Sequence, residues 1–162
     1  MTTNYLIVGA GGTGSHLLRP LHAYLTAYHT AEKTEWLLRI IDGDVLEKKN
    51  LERQLFPQAA VTQNKATAAA AMLNDEQHVI AIPEYLSEAN MDRYIQQDDV
   101  VLICADNFTV RKRIEDKSNT LDDITVINGG NELADGSVQL WVRKAGHDLT
   151  PRISYLHPEV AI

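Results

Sequence analysis

The sequence is short of cysteine, of long apolar runs and of basic charge, and each shortage removes a class of function. Cys104 is the single cysteine among 162 residues, so neither an internal disulfide nor a cysteine-rich zinc site can form within the chain. The longest apolar runs, such as Val100 to Ala105, fall well below the roughly 20 residues of a bilayer-spanning helix. The opening MTTNYLIVGAGG lacks the basic flank and small-residue cleavage site of a secretory signal. Location in the cytoplasm is the resulting expectation. Lysine and arginine number 15 against 22 acids, a formal net charge of −7. That balance disfavours broad binding to nucleic acid or anionic membrane. Lys48-Lys49 and Arg111-Lys112-Arg113 are local basic clusters, and charge patterning alone reads each as a solvated face.

What is present is enough for one domain with a fair-sized core: 44% of the residues are hydrophobic. YLIVGA (5–10) and DVVLICAD (99–106) are continuous apolar runs, the pattern of strands buried on both faces. WLLRIID (36–42), HVIAIPE (78–84), ITVING (124–129) and SVQLWVRK (137–144) complete six predicted strands. Helices are predicted over about 14–28, with a kink at Pro20, and over 65–74, 87–95 with Ser87 as N-cap, and 107–117. Residues 43–63 read as a long polar loop with room for a short helical turn. The order β-α-β-α-β-α-β-α-β-β predicts an α/β fold: a doubly wound, Rossmann-like, mostly parallel sheet with right-handed crossovers. The last strand alternates Val138, Leu140 and Val142 with other residues and is expected to run antiparallel at one edge. Residues 146–162 have no clear periodicity.

Ligands in such a sheet lie beyond the carboxyl ends of the strands, where the strand order reverses. Gly9, Gly11 and Gly14 stand in G-x-G-x-x-G register after the first strand, with Gly12 between them. Glycines there permit a tight turn and close approach to an anion, and the next helix offers free N–H groups; glycine used only for helix–strand packing is the alternative. Asp42 ends the second strand, where an acid hydrogen-bonds ribose in dinucleotide folds; capping a turn is the plainer alternative. Asp44, Asn50, Arg53 and Gln54 follow. A helical turn over 50–54 would set Asn50 and Arg53 on one face, and a guanidinium there suits phosphate oxygens. Lys65 opens a helix against the dipole, so an anionic partner would explain it; a harmless exposed lysine is the plainer alternative. Asp106 stands at another strand end, where a carboxylate beside polyphosphate suits Mg²⁺ and turn-capping is again the alternative.

Taken together, GAGGTGSH (9–16), DGDVLEKKNLERQ (42–54), Lys65 and DNFTVR (106–111) resemble the ThiF/MoeB family, bacterial relatives of ubiquitin-activating enzymes. The central motif, D-x-D leading to N-L-x-R-Q, is long and specific, and INGGNELADGSVQLWV (127–142) also resembles a family stretch. The resemblance implies a nucleotide-binding adenylation domain over 1–145, with 146–162 a tail leading toward a further segment. It implies ATP and Mg²⁺ as cofactors. Gly9, Gly11, Gly12 and Gly14 would form the phosphate loop, with Asp42 on ribose and Asp44 beside it. Asn50, Arg53 and Lys65 would hold the triphosphate, Gln54 would support that wall, and Asp106 would bind the metal. Arg53, Lys65 and Asp106 would then be the catalytic set, and Arg111 would brace Asp106 or its helix. The implied reaction is adenylation of the C-terminal glycine carboxylate of a ubiquitin-like or sulfur-carrier protein, and the implied form is a homodimer.

The sequence also departs from the family. It lacks the upstream arginine helix, for which Arg19 is a poor substitute, and the zinc-binding C-x-x-C pairs. It has no later thioester cysteine, and Cys104 reads as a buried structural thiol. Three other readings stay open: a module that binds an NAD-type dinucleotide, a non-catalytic scaffold, and adenylation of a carboxylate on modified tRNA.

Overall fold

The computed structural model describes residues 2–131 and 135–161. Glu132, Leu133 and Ala134, inside the paired-glycine stretch, lie outside the described residues, as do Met1 and Ile162 of the two segments divided at 145. The described chain forms β1 (Thr2–Val8), α1 (Gly12–Glu32), β2 (Glu35–Ile41), α2 (Lys65–Leu73), β3 (Val79–Ile82), α3 (Glu88–Tyr94), β4 (Val100–Ile103), α4 (Phe108–Ser118), β5 (Ile124–Asn131), β6 (Gly136–Lys144), β7 (His147–Asp148) and α5 (Ile153–Leu156). The sheet order is β3-β2-β1-β4-β5-β6-β7. β1 to β5 pair in parallel, whereas β6 and β7 run antiparallel. The chain winds outward from β1 to β3, then crosses back to β4, so the switch point lies between the carboxyl ends of β1 and β4.

The continuous apolar runs have the expected cause, since successive side chains of a strand enter opposite faces and here both faces are covered. Ile7, Leu38 and Ile40 pack on Leu18 and Leu25 of α1 and on the alanines of α2. Leu6, Val8, Val101 and Ile103 pack on Met91 and Tyr94 of α3, Ile114 of α4 and Ile153 of α5. The first helix is longer than predicted, and its assignment continues through Pro20 to a left-handed C-cap at Lys33. The polar loop after β2 holds two 3₁₀ turns, Lys48–Glu52 and Gln58–Ala60.

Two features of the distal end differ from the sequence pattern. Trp141 (0% exposed) and Gln139 are buried, whereas Val138 and Leu140 face outward. The indole supplies far more apolar area than either aliphatic side chain and so decides which face of β6 turns inward. Short β7 pairs with the end of β6 and takes the sheet edge from it. The segment after residue 145 packs back despite its lack of period. Ile153 and Val160 join the core beside Ile114 and Trp141, and Ser154 donates through N–H and hydroxyl to buried Glu115. Among the described residues no helix is long and apolar enough to cross a membrane.

His29 makes the fold sensitive to acid. It is buried, with the Tyr5 hydroxyl 3.0 Å from Nε2 and the Thr34 hydroxyl 2.7 Å from Nδ1, and burial lowers its pKa. The unfolded chain therefore takes up a proton, from about pH 6.5 downward, that the folded chain resists. The stability held above that pH is lost as pH falls through the folded value. Urea midpoints should drop more between pH 7 and pH 5 for the native chain than for His29→Gln. Parallel curves would remove His29 from this role.

Candidate active site

The glycines divide into two kinds. Gly9 adopts φ +96°, which a side chain resists, and a Cβ there would lie 2.9 Å from the Ala105 amide nitrogen. A Cβ on buried Gly14 would lie 2.1 Å from the Gly9 carbonyl oxygen. These two let β1, α1 and the end of β4 approach one another. Gly11 and Gly12 instead face open space: among the described residues nothing lies within 4 Å of a Cβ on Gly12, and only Gln54 Nε2, at 3.8 Å, near one on Gly11. Gly11 is the N-cap of α1 and makes no side-chain capping bond. The first amides of a 21-residue helix thus point at a space without a Cβ in the way, an arrangement suited to an anion.

Asp42 follows β2 and accepts from two backbone amides, Ala10 N–H at 2.7 Å and Asp44 N–H at 2.8 Å. Burial raises its pKa, and those amides oppose the rise. Asn64 Nδ2 donates to the carbonyls of Asp42 and Asp44, which pins the loop to the start of α2. Lys65, the first residue of α2, has the anionic partner its position called for: Nζ donates to Asp44 Oδ2 at 2.7 Å. Asp44 also accepts from the Tyr85 hydroxyl at 2.6 Å. Lys65 first, then Tyr85, holds the Asp44 carboxyl below the ordinary carboxylate range.

The 3₁₀ turn separates Asn50 from Arg53. Asn50 is 5% exposed; its Oδ1 accepts from Glu47 N–H, and its carbonyl accepts from the amides of Arg53 and Gln54. It shapes the wall from beneath and does not line the cavity. Arg53 is exposed on the cavity, and its side chain makes no hydrogen bond or ion pair among the described residues. Its carbonyl lies 3.3 Å from His16 Nε2 on α1. Gln54 is buried on the cavity, and among the described residues its Oε1 has no hydrogen-bond partner. A bound donor would satisfy that acceptor.

Asp106 follows β4, is exposed, lines the cavity and likewise has no hydrogen bond or ion pair among the described residues. Turn-capping belongs to its neighbour, since Asn107 Oδ1 accepts from Val110 N–H. Of the two expectations for Arg111, it braces the helix that follows Asp106 and not Asp106 itself. Its guanidinium lies 5.6 Å from the Phe108 ring centre and donates to the Gly129 carbonyl at 3.4 Å, tying its own helix to β5. Burial pushes the Cys104 thiol up to about 12, which leaves it inert as a nucleophile at neutral pH.

One open cavity of ≈ 770 Å³ collects Gly9, Gly11, Gly12, Asp42, Asp44, Arg53, Gln54, Lys65 and Asp106. The ThiF family's sequence profile matches residues 1–159. The chain belongs to the ThiF family. Among relatives of this ThiF-family chain, the adenylyltransferase and sulfurtransferase MOCS3-1 of Zea mays is 35% identical over 118 residues, 70% of this chain and 23% of its own. The SAMP-activating enzyme E1 of Haloferax volcanii is 32% identical over 120 residues, 72% of this chain and 41% of its own. The chain thus spans less than half the length of these relatives. In fold, E. coli MccB with MccA-N7isoASN has a TM-score of 0.70 at 21% identity, covering 87% of this chain and 40% of its own. PaaA has 0.66 at 24%, covering 84% and 40%.

The ThiF-chain cavity also contains residues that sequence reasoning passed over, chiefly His16, Tyr85 and Leu86. Tyr85 follows β3, itself a strand end, and that position was the available signal. Its ring lies against Gly43, where a Cβ would come within 2.5 Å of it. Among the described residues no three His, Cys, Asp or Glu side chains form a metal cage. Asp106 could suit Mg²⁺ only in another way: it is a carboxylate, unpaired among the described residues, on the same cavity as the α1 N-terminus, and Mg²⁺ takes one or two carboxylates when phosphate oxygens complete its shell.

Proposed function

We propose that this chain binds ATP at the β1–β4 switch point and adenylates the C-terminal glycine carboxylate of a small ubiquitin-like or sulfur-carrier protein. The observation that carries this is the gathering, in one cavity, of a helix N-terminus without a side-chain cap, a carboxylate after β2, a buried lysine, and a guanidinium and a carboxylate that are both unpaired among the described residues. The relatives named adenylyltransferase and SAMP-activating enzyme support the reaction class. E. coli MccB solved with ATP, with a TM-score of 0.67, supports the nucleotide.

In this reading the α1 amides and Gly11–Gly12 hold phosphate, and Asp42 holds ribose. An oxygen of the acceptor carboxylate attacks the α-phosphorus. The bond to pyrophosphate breaks as the acyl-adenylate forms. No general base is required, because a terminal carboxylate is already ionised at neutral pH. Arg53 and Lys65 neutralise the charge that gathers on the departing pyrophosphate. Asp106 would hold Mg²⁺, which when bound offsets phosphate charge. The buried Cys104 thiol takes no part in this reading. A cytoplasmic homodimer is the form this reading takes, on the single cysteine and the family resemblance.

ATP–pyrophosphate exchange with glycine-ended carrier proteins tests it. Exchange that requires both Mg²⁺ and the carrier is expected. Binding of NAD without binding of ATP would overturn the reading.

A further inference from the structure

Lys65 is nearly buried, at 7% exposed, and the structure already supplies its counter-ion. Asp44 Oδ2 lies 2.7 Å from Nζ. The acid is held from three sides: the Tyr85 hydroxyl on its other oxygen, and the Lys65 amide and Asn64 Nδ2 on its carbonyl. Yet 48% of the Asp44 side chain is exposed, and both residues line the nucleotide cavity. A buried ammonium needs an anion at all times. A triphosphate at the α1 N-terminus would be a second claimant to the same ammonium, and both anions cannot hold it fully.

We infer that Asp44 is a placeholder anion for Lys65: it keeps the lysine while the phosphate site is empty, yields it to the triphosphate, and takes it back as pyrophosphate leaves. The inference rests on the adenylation reading above. Anchored by Tyr85, Asp44 stays in place while the lysine changes partner. The arrangement lowers resting affinity for polyphosphate and favours product release, which suits an enzyme that must shed pyrophosphate after each turn. An acid that merely braced Lys65 toward the ligand would have the opposite effect on affinity, so the sign of one measurement separates the two roles.

The experiment is a cycle of Asp44→Asn, Lys65→Met and the double variant in the full-length protein. Dissociation constants for ATP and for pyrophosphate, each with Mg²⁺, are read by calorimetry, and melting curves check the fold. Asp44→Asn should bind pyrophosphate roughly five- to ten-fold tighter and release it more slowly. The same change should have no effect when Lys65 is methionine. Weaker binding by Asp44→Asn overturns the inference and makes Asp44 a brace. An equal gain in both backgrounds overturns it in favour of plain charge repulsion. Asp44→Ser is the second variant, and failure of both to fold overturns it by making Asp44 a structural acid. If the native protein binds neither ATP nor pyrophosphate, the adenylation reading fails too; if it binds both and only the Asp44 result has the wrong sign, the adenylation reading stands.

Discussion

Arg53→Ala is expected to slow ATP–pyrophosphate exchange about 10²- to 10³-fold with almost no change in melting temperature. The two halves of this expectation have separate causes. The guanidinium is exposed and makes no hydrogen bond or ion pair among the described residues, so its removal takes little from the folded state. Its backbone, by contrast, is held at both ends of the peptide: the amide donates to Asn50 and the carbonyl meets His16. The side chain therefore starts from a fixed point on the cavity wall, free to meet phosphate. Arg53→Lys should recover only part of the loss, because an ammonium cannot reproduce the planar two-point contact. An unchanged exchange rate in Arg53→Ala would return Arg53 to ordinary surface charge.

Asp106→Ala and Asp106→Asn are both expected to lower exchange about 10²-fold, the scale of several kcal/mol of charge stabilisation. The Mg²⁺ concentration needed for half-maximal rate should rise in both. Asparagine keeps the shape of the side chain and its ability to accept from a backbone amide, but not its charge. A turn-capping role would therefore survive in Asp106→Asn, whereas a metal-holding role would not. The structure has already given the cap of α4 to Asn107, so melting temperatures should match the native value. Native-like exchange in Asp106→Asn, with native Mg²⁺ dependence, would defeat the assignment.

Much of the fold was legible because buried parallel strands leave an unbroken apolar signature. VVLIC and YLIV could hardly be other than strands once glycines and acids bounded them. Boundaries were less so. The first strand reads as ending at Ala10 but stops at Val8, since Gly9 turns the backbone to positive φ and this is invisible in an apolar run. The last segment had no period to read. Its apolar anchors are Ile153 and Val160, and isolated anchors make no pattern. Within the site, Asn50 and Arg53 share a motif but not a surface, because the tight turn spends the asparagine amide on its own backbone. Arg111 turned to Gly129 and Phe108, a choice set by where β5 lies.

Residue order alone determined that acids stand at the ends of β2 and β4, that glycines open α1, and that bases follow within the next loop and helix. These are local facts of spacing and period. Which of those groups meet was decided only by the tertiary structure. Asp44 and Lys65 are 21 positions apart, and Asp44 and Tyr85 are 41 apart. They converge because parallel pairing of β1, β2 and β3 brings three strand ends to one rim, and β4 then returns across the switch point to close it. The charge pairing that governs Lys65 is therefore a property of the assembled sheet, absent from any segment of the chain by itself.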